Sequence, residues 1–149
     1  MRLILIVLIA TLLTGCTSYH ARRPAPLDRQ REAALNRIVI PSIVASNAPI
    51  VDVIAQLVKL SVPYDQEHCG CSIILDTSPT PEQQEGKSER EIENISKATG
   101  QRKITLDLQG GVPFLSVVDA MCQQAGLVWS LDTIVIVTTP EKYECWNKH

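Results

Sequence analysis

The sequence predicts an α+β domain built from two related strand–helix units. In residues 103–139 an alternating apolar pattern gives way to a helical one and then to two short apolar runs, which predicts the order β-α-β-β. A shift of 64 positions places residues 38–61 on the same frame. Because neither unit alone can bury its apolar stripe, we expect the two units to share one core.

The second unit has the clearer pattern. Apolar and polar residues alternate over 104–108, which predicts a half-buried strand that Gly110 and Gly111 are expected to end. A helix is predicted from Pro113, with Gly126 at its C-cap, where positive φ is required. The apolar stripe of this helix consists of Phe114, Val117, Val118, Met121, Cys122 and Ala125.

The end of this unit predicts a hairpin. Its two strands, Leu127–Leu131 and Ile134–Val137, are separated only by Asp132 and Thr133. Trp129 alternates with apolar neighbours in the first strand, so we expect it to pack against a helix, with an exposed contact role as the alternative.

The first unit is a weaker copy. A strand is predicted over Ile38–Val44, and a helix is predicted from Pro49 to about Ser61, with Asn47 near its N-cap. The correspondences are Ile40, Ser42 and Val44 with Ile104, Leu106 and Leu108, then Asn47 with Gly111, Pro49 with Pro113, and the stripe Ile50, Val53, Ile54, Leu57, Val58 and Ser61 with the second helical stripe.

The remaining segments are mostly polar. A short strand is predicted at Ile73–Asp76, and residues 76–101 are expected to form an inserted surface loop, with a helical turn or two in Glu89–Ala98. Residues 140–149 are expected to be a C-terminal tail.

The N-terminus has the pattern of a lipoprotein signal. Residues 1–15 have the apolar length of a signal peptide, and Leu13-Thr14-Gly15-Cys16 resembles the lipobox of bacterial lipoproteins, which implies lipidation of Cys16. An ordinary cleaved signal or a short buried helix is the alternative. Residues 16–37 are then the lipidated N-terminus and tether. Thr17, rather than aspartate, follows the cysteine, which implies an outer-membrane lipoprotein that faces the periplasm.

The other cysteines fall into two groups. Cys122 lies on a helical stripe and is expected to be a buried free thiol. A disulfide from Cys145 to Cys69 or Cys71 is predicted for an oxidising compartment. The alternative is a small periplasmic metal- or ligand-binding protein that uses His68, Cys69, Cys71, Cys145 and His149.

Composition and motifs exclude several functions. The chain has 149 residues and a net charge of −2, with 14 basic and 16 acidic residues, and no basic stripe with interleaved aromatics predicts nucleic-acid binding. The sequence lacks G-x-S-x-G, H-E-x-x-H and a phosphate loop, so we expect neither an enzyme nor a cofactor. Asp107 and Asp119 are expected to face outward rather than to form an acid–base pair.

The repeat KITLDLQGGVPFLSVVDAMCQQAGLVWSLDTIVIV, with its weaker copy, resembles the small domain shared by secretin N-termini and the short N-terminal (STN) domain of TonB-dependent receptors. The resemblance covers about residues 38–139, with 76–101 as an insertion. It implies a β-α-β-β-α-β-β fold, in which two helices lie between a three-stranded mixed sheet and a smaller two-stranded sheet.

The resemblance also implies a function by contact. Such domains bind neighbouring domains or partner proteins without chemistry, and no functional residue of the family transfers to a numbered position here. We therefore expect a lipid-anchored periplasmic module that binds a protein of a secretion, pilus or TonB-linked envelope complex. The free edges of the small sheet are expected to accept a strand of that partner.

Overall fold

The computed structural model describes residues 26–66 and 70–148 and contains the following elements within them. The helices are α1 (Pro26–Asn36), α2 (Ile50–Ser61), α3 (Pro81–Gln84), α4 (Glu89–Gly100), α5 (Phe114–Ala125) and α6 (Pro140–Asn147), and a 3₁₀ turn at Val62–Tyr64 follows α2. The strands are β1 (Val39–Pro49), β2 (Ile73–Asp76), β3 (Lys103–Pro113), β4 (Val128–Leu131) and β5 (Val135–Thr138).

The strands form two sheets. Antiparallel β1 and β3 make the small sheet, and the three-stranded sheet has the order β2-β5-β4, with β2 parallel and β4 antiparallel to β5. Helix α2 contacts β1 and β2, while α5 contacts β3 and β4 and also packs on α2. The two helices therefore join the sheets, and the predicted α+β arrangement is confirmed.

The two units repeat along the chain with the predicted offset. Units β1–α2 and β3–α5 each consist of an 11-residue strand followed directly by a 12-residue helix, and their bounds differ by 64 residues. The Phe114 N–H donates to the Ile38 carbonyl oxygen at 2.9 Å, and the Ile50 N–H donates to the Arg102 carbonyl oxygen at 2.9 Å. Each helix thus begins with a hydrogen bond to the residue that precedes the other unit's strand.

The predicted strand end at the glycine pair is wrong. Strand β3 continues through Gly110 and Gly111, which have φ values of 83° and 81°, as a bulged segment. Strand β1 has a matching register shift before Ala48, where Asn47 adopts a φ of 48°. Asparagine is among the few residues that tolerate the left-handed region, so it can replace a glycine of the other unit.

The predicted core face of β1 is also wrong in part. Ile40 is buried as expected, but Ser42 and Val44 are exposed, and Ile43 and Ala45 face the core instead. The pairing with β3 is irregular between Ile40 and Ser42, where a proline lies, and the alternation continues one residue out of phase. The backbone of β1 therefore repeats that of β3 at the 64-residue offset, but not all buried side chains of β1 are at the positions that the offset predicts.

The core is formed chiefly by the two helical stripes. Leu57 and its equivalent Met121 are fully buried, and Cys122 is buried beside them, as predicted. Helix α5 ends at Gly126 with a φ of 63°, which confirms the predicted C-cap. The largest fully buried side chains are Phe114, Ile40, Ile43, Ile50, Leu57, Met121, Val53, Val117, Val118, Val135, Val137 and Thr138.

The segment predicted as a polar loop contains two helices. Helix α3 begins at a capping box between Thr80 and Gln83, and α4 begins at one between Ser88 and Glu91. These caps satisfy backbone N–H groups that would otherwise lack partners at a helix start. A Cβ atom on Gly100 at the end of α4 would lie 3.1 Å from Val51 Cγ1, so this helix end packs closely on α2.

The predicted tether and the predicted C-terminal tail both contain a helix. Part of the predicted tether is helix α1, which contacts α5; Leu35 packs on the core and Arg31 Nη1 donates to the Asp132 carbonyl oxygen at 3.2 Å. The predicted C-terminal tail contains α6. The signal peptide and Cys16 lie outside the described residues. Within 26–66 and 70–148, no helix is long and apolar enough to cross a membrane.

Candidate protein-binding site

Strand edges are the candidate site, because they carry backbone groups that can pair with an extended segment of another protein. In the described part of the chain β1 and β3 pair only with each other, and β2 and β4 are the outer strands of the larger sheet. The four edges differ in how much of their backbone is already engaged.

The small sheet is poorly suited to accept a strand. Pro41 has no N–H to donate, and β1 ends at a second proline. In β3 the Thr105 N–H donates to Gln124 Oε1 of α5 at 2.9 Å, and the Thr105 hydroxyl oxygen accepts the Asn47 N–H at 3.0 Å. These features, together with the bulges, disfavour the small sheet, although the sequence analysis favours it as the acceptor.

Strand β4 is held against α5. The Trp129 indole Nε1 donates to Asp119 Oδ1 at 2.6 Å, and the ring packs against the core, as predicted. Every side chain of β4 is partly buried, so an incoming strand would gain little new contact there.

Strand β2 is the outer strand of the larger sheet that carries an exposed apolar side chain. Ile73 and Leu75 pack on the core, whereas Ile74 lies on the opposite face with 49% of its surface exposed. Its cross-strand neighbour Ile136 is partly buried, which extends the apolar surface onto β5. The strand contains no proline. An extended segment could therefore pair with β2 and cover Ile74.

An ion pair fixes the end of β2. Lys142 Nζ of α6 lies 2.7 Å from both carboxylate oxygens of Asp76, and the two side chains are only 16% and 26% exposed. Lys142 Nζ also donates to the Ser78 carbonyl oxygen at 3.3 Å and to its hydroxyl. Burial raises the pKa of Asp76, but hydrogen bonds from Lys142 and Ser78 outweigh this effect and lower the pKa below its ordinary value.

The same cluster places a serine beside a lysine, a pairing that some hydrolases use. Here the Ser78 hydroxyl donates to Asp76 Oδ1 at 2.5 Å, and Asp76 also holds the Lys142 ammonium. The lysine is thus engaged with a carboxylate, and the serine hydroxyl donates to that same carboxylate rather than to the lysine. The geometry therefore supports a structural ion pair.

Three cysteines of the described residues are free thiols. Cys71 and Cys145 are not joined, since Cys71 is buried in the core while Cys145 lies on α6. Burial raises the pKa of Cys122 to about 12, and burial and then the Asp65 charge raise the pKa of Cys71 to about 11. Cys69, the other predicted partner of Cys145, lies outside the described residues.

The metal alternative depends on the same segment. His68, Cys69 and His149 lie outside the described residues, and among the residues that the structure does describe, no three histidine, cysteine or acidic side chains are grouped for a metal.

Two adjoining cavities of about 260 and 230 Å³ flank α1 and share Leu35 and Cys71 in their walls.

Sequence reasoning missed the open edge and its ion pair. The run Ile73-Ile74-Leu75 is continuously apolar, so its pattern does not show that the middle side chain faces outward. Lys142 and Asp76 are 66 residues apart, and no local signal connects them.

The chain is therefore a mixed α+β domain whose larger sheet has β2 as an outer strand. The chain matches no protein-family model, and comparisons with curated proteins and with solved structures give no match.

Proposed function

We propose that this protein is a binding module of the cell envelope that accepts an extended segment of a partner protein at the edge of β2. The observation that carries this proposal is the exposure of Ile74 on an outer strand, while the small-sheet edges are interrupted by proline or already hydrogen-bonded. Strand addition needs backbone groups along the edge of an outer strand and a side-chain contact; β2 is an outer strand, and Ile74 supplies the contact.

The expected affinity is modest. Each backbone hydrogen bond contributes about 1 kcal/mol net, and covering the exposed half of Ile74 adds about 1 kcal/mol more. Part of this gain is offset by ordering the partner segment. Attachment of both proteins to one membrane would raise their effective concentration and compensate for a weak contact.

The location in the envelope is supported by the sequence. A lipid on Cys16 would anchor the chain in the outer membrane, facing the periplasm. Helix α1 begins at Pro26, so the connection spans about nine residues, or at most about 30 Å. The resemblance to secretin and STN domains supports a secretion, pilus or TonB-linked complex as the source of the partner.

Site-specific photocrosslinking in intact cells tests the proposal. A photoreactive residue at position 74 is compared with one at position 44, because Val44 is similarly exposed, at 55%, but lies on the small sheet. We expect a defined protein adduct from position 74 only. The substitution Ile74→Lys should abolish co-purification of that protein, while Val44→Lys should not. Adducts from position 44 alone, or from neither position, would refute the proposal.

A further inference from the structure

Helix α6 is held to the domain with little apolar burial. None of its described side chains is buried, and its start is fixed by the Thr139 hydroxyl, which accepts the Lys142 N–H at 3.4 Å. Apolar burial is the main source of stability for most helices in proteins. Other contacts must therefore keep α6 in place.

Those contacts converge on Lys142. In the described residues, the hydrogen bonds and the ion pair from α6 side chains to more distant parts of the chain all come from this lysine, and they end on Asp76 and Ser78. The Trp146 ring of the same helix lies 5.9 Å from Lys142 Nζ, within the range of a cation–π contact. The Lys142 ammonium therefore supplies these polar contacts between α6 and the end of β2.

The attachment lies where β2 ends. Asp76 is the last residue of β2, and its carbonyl oxygen accepts the hydroxyl of Thr138, the last residue of β5, at 3.1 Å. Only Thr139 separates β5 from α6. Thr139 is therefore the single residue that links the sheet to α6 along the chain.

We propose that α6 and its Lys142–Asp76 ion pair form a C-terminal clamp that limits access to the edge of β2. This inference rests on the proposed function. In the closed state Lys142 engages the Asp76 carboxylate and the Ser78 carbonyl oxygen, so an incoming strand is confined to the four residues of β2. Release of α6 frees the Ser78 carbonyl oxygen, so an incoming strand can form one more hydrogen bond beyond Asp76.

Hydrogen exchange and photocrosslinking together test the clamp in the full-length protein. Lys142→Met removes the cation and keeps most of the apolar chain, and Asp76→Asn removes the opposite charge as a second variant. Lys148→Met is the control, because Lys148 is exposed at the end of α6. We expect amides of 140–147 to exchange about tenfold faster in both clamp variants, and the yield of adduct from position 74 to rise several-fold.

The two proposals fail in different ways. Faster exchange with an unchanged adduct yield would overturn the clamp and leave the partner site in place. Exchange that accelerates across the whole domain, or not at all, would also overturn the clamp. If no variant gives an adduct from position 74, the proposed function fails, and control of access to β2 fails with it.

Discussion

Substitutions in the bulge of β3 test whether it is structurally equivalent to the bulge of β1. Gly110 and Gly111 both have positive φ, but an added Cβ would meet no atom within 4 Å at Gly110, whereas at Gly111 it would lie 3.2 Å from Val39 Cγ1. Gly110→Ala therefore measures backbone strain alone, and Gly111→Ala measures strain together with crowding.

The magnitudes follow from these environments. A left-handed conformation costs alanine about 1–2 kcal/mol, and loss of glycine's freedom in the unfolded chain offsets about 0.4–1 kcal/mol of it. We expect Gly110→Ala to lower the free energy of unfolding by about 1 kcal/mol. Gly111→Ala should lower it by about 1.5–2 kcal/mol, because Val39 must also shift. At the equivalent position, Asn47→Gly should change it by less than about 0.5 kcal/mol.

Urea unfolding followed by circular dichroism measures these differences. In a Val39→Ala background the extra cost of Gly111→Ala over Gly110→Ala should disappear, since the crowded methyl group is gone. An equal cost for the two alanine variants with Val39 present would refute the crowding argument. A cost above about 1 kcal/mol for Asn47→Gly would refute the equivalence of the two bulges.

Three further outcomes are expected. Leu57→Ala should destabilise the domain by about 2–5 kcal/mol in the same urea assay, because Leu57 is fully buried between the sheets. Alkylation mapped by mass spectrometry should modify Cys71 and Cys122 only after unfolding, since burial raises the pKa of both thiols and hides them. Because the folded-state pKa of Asp76 is lowered, the contribution of this carboxylate to stability should be complete above its ordinary pKa of 3.8 and should be lost as the pH falls through the folded pKa. In acid titrations of stability, Lys142→Met should weaken this dependence, and the part that comes from the Ser78 hydrogen bonds should remain.

The sequence predicts the two helices well because each carries a continuous apolar stripe and a clear end signal. The helix in the second unit is expected from Pro113 to Gly126, and α5 occupies Phe114–Ala125. The 64-residue offset is confirmed for both strand and helix. Periodicity is informative here because one face of each helix is buried between the two sheets.

Strand details are predicted less well. A glycine pair can end a strand or form a bulge, and only pairing with β1 distinguishes the two. Likewise, the irregular pairing after Ile40 moves Ile43 and Ala45 to the core, which a strict alternation cannot anticipate. Such features depend on the partner strand rather than on the local sequence.

The local sequence gives almost no signal that predicts the candidate site. Whether β2 is an outer strand depends on the order of strands in the sheet, and Ile74 is exposed because it also lies on the face away from the core. The capping boxes at Thr80 and Ser88 are local signals of a helix start, but the polar composition around them favours a loop. Contacts between distant residues, such as Lys142 with Asp76, require the folded chain.

Hydrogen exchange of the domain bound to its crosslinked partner tests the central claim most directly. Amide protection in Ile73–Asp76 should increase on binding, because an added strand engages the open backbone groups of β2. Protection that increases instead in Val39–Pro49 or Lys103–Pro113, with β2 unchanged, would contradict the account.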